Sequence, residues 1–284
     1  GRYVDAEKLS LSITEEFPKH PFAWKVLAAV LKQMGKINES LVASQKSVQL
    51  DPQDAEAHSN LGIILKELGR LKESEASYRQ AIILKPDLAE AHSNLGNTLK
   101  ELERLKESEA SYRQAITLKP DYAKAHSNLG IILKEQGKLD EAKASYRQAV
   151  TLKPDYAEAH SNLGNTLQEL GKLDEAEASY RQAIALKPDL AEAHSNLGIT
   201  LQELGKLDEA EINYRKAIAF KPNKFANAYD QLGVILQKKG CFEEAEDCYK
   251  KCMSLEPNKI SKTLSKGSIF FKQGHFEQAL IAFE

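Results

Sequence analysis

Apolar positions along this chain return in two short stripes, repeat after repeat. Between Ala55 and Leu68, residues Ala57, Leu61, Ile64, Leu65 and Leu68 stand three or four positions apart, the spacing that aligns side chains on one face of a helix. Past Gly69, a second stripe of Leu71, Ser74, Tyr78, Ala81, Ile82 and Leu84 keeps the same period, which predicts another amphipathic helix. The link between them is short enough that the two helices must be antiparallel neighbours. The pair then recurs at a fixed interval: Pro18, Pro52, Pro86, Pro120, Pro154, Pro188 and Pro222 fall 34 residues apart, and Pro257 follows after 35. Each unit has an apolar face that it cannot bury alone, so stacking on its neighbours is what closes the core.

Aligned on these prolines, the chain is expected to form one array over 1–284. Its full repeats are 21–54, 55–88, 89–122, 123–156, 157–190, 191–225 and 226–259. The second helix of an incomplete repeat occupies 1–20, and an incomplete or capping repeat occupies 260–284, where Lys266 replaces the usual Leu. Local signals mark the element ends. Gly69 suits a tight turn with positive φ, although Glu103 holds the equivalent place in the next repeat. Lys85-Pro86 ends the second helix, because proline disfavours helical geometry in the residue before it. Asp87, Asp155 and Asp189, each followed three residues later by Glu90, Glu158 or Glu192, are expected to cap the next helix. Gly62, in mid-helix, predicts close approach of Tyr78 or its helix, since glycine there otherwise costs about 1 kcal/mol. Because the chain begins and stops inside repeats, a fragment of something longer, or disordered ends, is expected. The first helix, with Tyr3, Ala6, Leu9, Ile13 and Phe17, should then expose apolar surface or borrow cover from another molecule.

The pattern His58-x-x-Leu61-Gly62-x-x-Leu65, Ser74-x-x-x-Tyr78 and Pro86 resembles the signature of the tetratricopeptide repeat family, with His for its usual Trp and Leu for its usual Tyr. Trp24 and Tyr229 restore an aromatic at the first of these places. What the resemblance implies is an all-α fold: a right-handed α-α superhelix, or solenoid, of antiparallel helix pairs, with first helices lining a concave inner surface.

On the first helix, Glu56, Ser59, Asn60, Ile63, Lys66 and Glu67 form a stripe opposite the apolar face. By analogy with the family this stripe lines the groove. Its most regular members are Asn60, Asn94, Asn128, Asn162 and Asn196, one per repeat. Helices pack about 8–10 Å apart and an extended strand advances about 3.3 Å per residue, so the rungs would meet a guest backbone about every third residue. A carboxamide both donates and accepts, which complements a peptide group. A comparable ladder lines the repeat superhelix of the O-linked N-acetylglucosamine transferases, which this chain resembles at these positions. Three places on, Ile63, Asn97, Ile131, Asn165 and Ile199 alternate, so Asn97 and Asn165 join the candidate peptide-binding set. Duplication of a two-repeat unit, with amides bonded to neighbouring helices or water, would give the same pattern. The carboxylate clamp of chaperone-binding family members is not matched, because Glu56, Glu90, Glu158 and Glu192 stand in the stripe, with Lys124 the exception.

Composition narrows the function. At 42% hydrophobic and 28% charged residues the 284-residue chain is a folded, soluble type. Its net charge of −2, spread evenly, lacks the basic footprint of a nucleic-acid binder. No apolar stretch reaches the roughly 20 residues that span a bilayer, and no secretory pattern opens the chain. A cytoplasmic location is expected. His58, His92, His126, His160 and His194 recur once per repeat, too far apart to share a metal ion, and are expected to pack. Cys248 and Cys252, four apart on one helix, are expected to be small core residues rather than ligands. Runs such as Lys172 to Glu177 suit solvated helix starts. No catalytic, metal or cofactor site is expected. The chain is read as a non-enzymatic protein-interaction scaffold that holds an extended partner segment. The alternatives are the substrate-docking region of a larger transferase and a scaffold that self-associates through surfaces such as Tyr3, Leu9, Phe270 and Phe276.

Overall fold

The computed structural model describes residues 2–256, without the side chains of residues 2 and 3. Among these residues the chain is all-helical, and it divides into two compact units, Gly1–Leu152 and Lys153–Glu284. In the first unit lie α1 (Arg2–Glu16), α2 (Pro21–Gln33), α3 (Ile37–Leu50), α4 (Ala55–Glu67), α5 (Leu71–Leu84), α6 (Ala89–Glu101), α7 (Leu105–Leu118), α8 (Ala123–Glu135) and α9 (Leu139–Leu152). The second holds α10 (Ala157–Glu169), α11 (Leu173–Leu186), α12 (Ala191–Glu203), α13 (Leu207–Phe220), α14 (Ala226–Lys238) and α15 (Phe242–Leu255). Phe270, Phe276, Lys266 and the segment 260–284 lie outside the described residues, as does the side chain of Tyr3.

Packing follows chain order within each unit. Helices pair as α2 with α3, α4 with α5, α6 with α7 and α8 with α9, and each pair docks on the next. In the second unit α10 pairs with α11, α12 with α13 and α14 with α15 in the same way. First helices of successive pairs also touch directly, α4 on α6, α6 on α8 and α10 on α12. This is the solenoid mode of packing that the apolar stripes demand.

The close approach expected at Gly62 is present. A Cβ placed there would stand 2.8 Å from the ring of Tyr78, and Gly130 and Gly164 meet Tyr146 and Tyr180 at the same distance. Each tyrosine is fully buried, so the glycine is the hole into which the ring of the second helix fits. Beside it, the Ser74 hydroxyl donates to the Gly62 carbonyl at 2.8 Å and lies 3.3 Å from the Thr98 hydroxyl, which satisfies a buried polar group. At the turn, Gly69 adopts φ +72°, while Glu103 adopts φ +60° at the same place.

The expectation for the helix caps is corrected. Leu88, Tyr156 and Leu190, not Asp87, Asp155 and Asp189, occupy the N-cap positions of α6, α10 and α12, and none of those helices has a side-chain cap. The carbonyls of Asp87 and Asp155 are used in a backbone turn to Ala89 and Ala157, which sets those aspartates one residue too early to reach the first helical N–H groups. Asp54 stands one place later in the repeat, and its carboxylate accepts from Glu56 N and Ala57 N at 2.9 and 3.0 Å.

Histidine and proline of the signature are partners. Nε2 of His58, His92, His126, His160 and His194 lies 2.9–3.1 Å from the carbonyls of Pro52, Pro86, Pro120, Pro154 and Pro188. The Trp24 indole donates to the Pro18 carbonyl in the same manner. The ring at this place therefore pins the loop that ends the preceding repeat, which accounts for the exchange of His and Trp.

A second correction concerns the acidic runs. Asp174 and Glu175 are exposed, but Glu177 is half-buried. It takes Arg181 from its own helix at 2.9 Å and Lys206 from the next repeat at 2.8 Å. Glu109 binds Arg113 and Lys138, and Glu211 binds Arg215 and Lys239, in the same arrangement. These carboxylates join neighbouring repeats, and single-repeat periodicity does not reveal that. At the start of the chain Leu9, Ile13, Phe17 and Phe22 are exposed, which agrees with the apolar surface expected of the first helix.

Candidate functional site

The helices that carry the asparagine ladder are the first of each pair, and their meeting edges bring its members together. Between α6 and α8, Asn128 Nδ2 donates to Asn97 Oδ1 at 3.1 Å. The same oxygen accepts from the Tyr112 hydroxyl at 2.7 Å. Between α10 and α12 the arrangement returns: Asn165 Oδ1 accepts from Asn196 Nδ2 at 2.7 Å and from the Tyr180 hydroxyl at 2.7 Å. Burial pushes the phenols of Tyr112 and Tyr180 well up, so both remain neutral donors. An alternating pattern that looked like two kinds of ligand contact is also an internal network.

The rungs therefore differ. Asn60 is exposed and Asn94 and Asn162 are half-buried, and their side-chain amides have no hydrogen-bond partner among the described residues. Asn128 and Asn196 each have one N–H engaged and their carbonyl oxygens open. Asn97 and Asn165 are the reverse, with oxygen saturated and nitrogen without a described partner. Asn60 also lines a cavity of about 220 Å³ with Lys25, Lys32 and Ile63 between α2 and α4.

Charges flank these amides in pairs. Lys32 meets Glu67, Lys66 meets Glu101 and Lys100 meets Glu135 at 2.9, 2.7 and 3.1 Å across successive first helices of the first unit. In the second unit amides replace the lysines, with Gln202 Nε2 donating to Gln231 Oε1 at 2.8 Å. The stripe carboxylates Glu90, Glu158 and Glu192 are each held by a lysine, at 3.2, 3.2 and 2.7 Å. Solvent screens such exposed pairs, so they shape the surface more than they stabilise it. No group of three or more metal-ligating side chains occurs among the described residues. Cys252 is buried and Cys248 half-buried on α15, as expected of core positions. No helix among the described residues is long and apolar enough to cross a membrane.

Models described as TPR repeat match residues 29–69, 64–103, 96–137 and 132–171, and models described as tetratricopeptide repeat match 155–223 and 226–259. The chain belongs to the tetratricopeptide repeat family. Among solved structures, the tetratricopeptide protein YrrB, described as having an unusual peptide-binding site, is 24% identical with a TM-score of 0.56. The match covers 70% of this chain and 98% of YrrB. PilF of Pseudomonas aeruginosa is 19% identical with a TM-score of 0.67, over 74% of this chain and 96% of its own. The Cut9–Hcn1 hetero-tetramer of APC/C is 16% identical with a TM-score of 0.66, over 98% of this chain and 52% of that one. Comparison with the curated proteins finds no match. Tetratricopeptide arrays are protein-interaction scaffolds, and that class of function comes with the family.

Proposed function

We propose that this tetratricopeptide array holds an extended partner segment along its first helices, gripping the backbone through the asparagine rungs. The observation that supports this most directly is that the side chains of Asn60, Asn94 and Asn162 have no hydrogen-bond partner among the described residues. Carboxamides repeated at one place, each with donors and acceptor open, suit a guest that supplies N–H and C=O at regular steps. Asn128 and Asn196 add acceptors for guest N–H groups, and Asn97 and Asn165 add donors for guest carbonyls. Side-chain preference would come from Ile63, Ile131 and Ile199 and from the lysine, glutamine and glutamate rungs. The peptide-binding site named for YrrB shows that a relative in fold binds peptides.

The test is a fluorescence-anisotropy titration with a labelled, unstructured peptide rich in Ser, Thr and Ala. N60A/N94A/N162A should weaken binding while circular dichroism and the unfolding midpoint stay as in the parent. Each lost hydrogen bond is worth about 1 kcal/mol, so together they should reduce affinity by at least tenfold. Equal affinity of variant and parent would reject the ladder as the grip.

A further inference from the structure

The sequences of α11 and α13 agree at every position but four: Ala178 becomes Ile212, Ser179 becomes Asn213, Gln182 becomes Lys216, and Leu186 becomes Phe220. All four changes fall on one side of one helix. Ile212, Asn213 and Lys216 line a cavity of about 320 Å³ between α11 and α13, floored by His194 and Leu197 of α12. Phe220 stacks on His194, with ring centroids 5.8 Å apart. Between α7 and α9 of the first unit the corresponding cavity, about 460 Å³, has Ala144, Ser145 and Gln148 in these places. The larger side chains narrow the groove and put Ile212 and a lysine where the other has Ala144 and Gln148.

Details of the groove agree with this reading. Asn213 Oδ1 lies 3.0 Å from His194 Nδ1, and the imidazole is only 2% exposed. The floor is therefore fixed from both sides. Ile212 and Phe220, by contrast, are 52% and 46% exposed, so the new apolar surface is offered outward instead of being used in the core. Around it Arg181 is neutralised by Glu177 and Glu209, whereas Lys216 has no ion-pair or hydrogen-bond partner among the described residues. An apolar patch with one uncompensated cation a helical turn away calls for a complement of opposite layout.

We infer that the outer groove between α11 and α13 is a second docking site, separate from the asparagine ladder, for a partner helix that seats an apolar side chain on Ile212 and a carboxylate on Lys216. The site is separate from the ladder: its walls are the second helices α11 and α13, and of α12 it takes only the floor residues His194 and Leu197, not Asn196. A partner of this form reads the i, i+4 spacing of Ile212 and Lys216 as helix-in-groove recognition does.

The test uses the full chain with labelled isoleucine methyl groups and two synthetic helical peptides. One peptide carries Leu followed four residues later by Glu; the other has Lys for that Glu. The first should move the Ile212 methyl signals and saturate below about 1 mM, and the second should bind at least about tenfold more weakly. In K216E the preference should reverse. In I212A/N213S/K216Q/F220L, which restores the α11 sequence and so keeps a helix the chain already folds, both should fail to bind. No saturation by the first peptide, equal affinity for the two, or unchanged binding in the fourfold variant would overturn the site. Concentration-dependent shifts of Ile212 without any peptide would assign the groove to a second copy of the chain and overturn the helix partner.

Discussion

Asn128 hands its side-chain N–H to Asn97 at 3.1 Å across the edge between α8 and α6, and that single bond makes the rungs of the ladder unequal. Asn94 occupies the same place one repeat earlier but faces a repeat that carries Ile63 instead of an amide, and it has no such bond. The chemical repeat of this surface is therefore two structural repeats long. A guest backbone would meet a fully open carboxamide and then one with an N–H already spent on its neighbour.

Asn97→Ile should release Asn128. The substitution copies Ile63 and Ile131 of the same chain, so helix α6 should form as before, with a stability cost of about 1 kcal/mol for the lost hydrogen bonds. Side-chain amide protons of Asn128 should then exchange with solvent as fast as those of Asn94 when followed by NMR. If the exchange rate does not change, the bond is not restraining the rung in solution.

Gly130→Ala should be among the more damaging single changes. Its new Cβ would lie 2.8 Å from the ring of Tyr146, which is buried and has no room to retreat, and overpacking of this kind costs about 1–3 kcal/mol. A denaturant titration of the full chain should show an earlier transition. A variant as stable as the parent would mean that the ring is free to shift.

Acid should loosen the links between repeats. For the Glu177 carboxyl, burial pushes upward, but hydrogen bonds from Lys206 and Arg181 outweigh it and hold the group below the usual carboxylate range. Glu192 likewise is pushed up by burial and brought down further, to about 2, by Lys224 and Lys221. A lowered folded-state value means stability that is complete above the ordinary value of 4.5 and fades as pH falls through the folded value. Thermal midpoints should thus decline as pH drops below about 4.5, and E177Q should decline less steeply than the parent. Parallel slopes for the two would remove Glu177 from the account.

The fold was legible because few residue types carry it. Gly62 announces the tyrosine pocket, Gly69 the turn, and Pro86 the repeat end, all at a fixed period. The caps are not legible, since Asp87 and Asp54 look alike in sequence while standing one residue apart in the repeat, and one residue decides whether a carboxylate reaches a helix start. The asparagine positions could be read off directly, yet their inequality could not, because it comes from residues 31 apart in sequence, Asn97 and Asn128, meeting across two helices. The tie between Glu177 and Lys206, 29 residues apart, was hidden for the same reason. A signal for the outer groove does exist, in the four positions at which α13 departs from α11, but only the packing shows that three of them, Ile212, Asn213 and Lys216, share one cavity while Phe220 stacks on His194 beside it.

Glu103→Gly should stabilise the chain. Glu103 adopts φ +60°, whereas the equivalent turns at Gly69, Gly137, Gly171 and Gly205 adopt φ between +71° and +76° with glycine. A left-handed conformation costs an ordinary residue about 1–2 kcal/mol, and glycine returns about 0.5–1 kcal/mol of that through the greater freedom of the unfolded chain. The Glu103 side chain is exposed and makes no hydrogen bond or ion pair among the described residues, so no contact is lost to offset the relief. A net gain of about 0.5–1 kcal/mol should appear as a later urea midpoint with an unchanged slope. A midpoint that stays put or falls would show that this turn is held by something other than its backbone geometry.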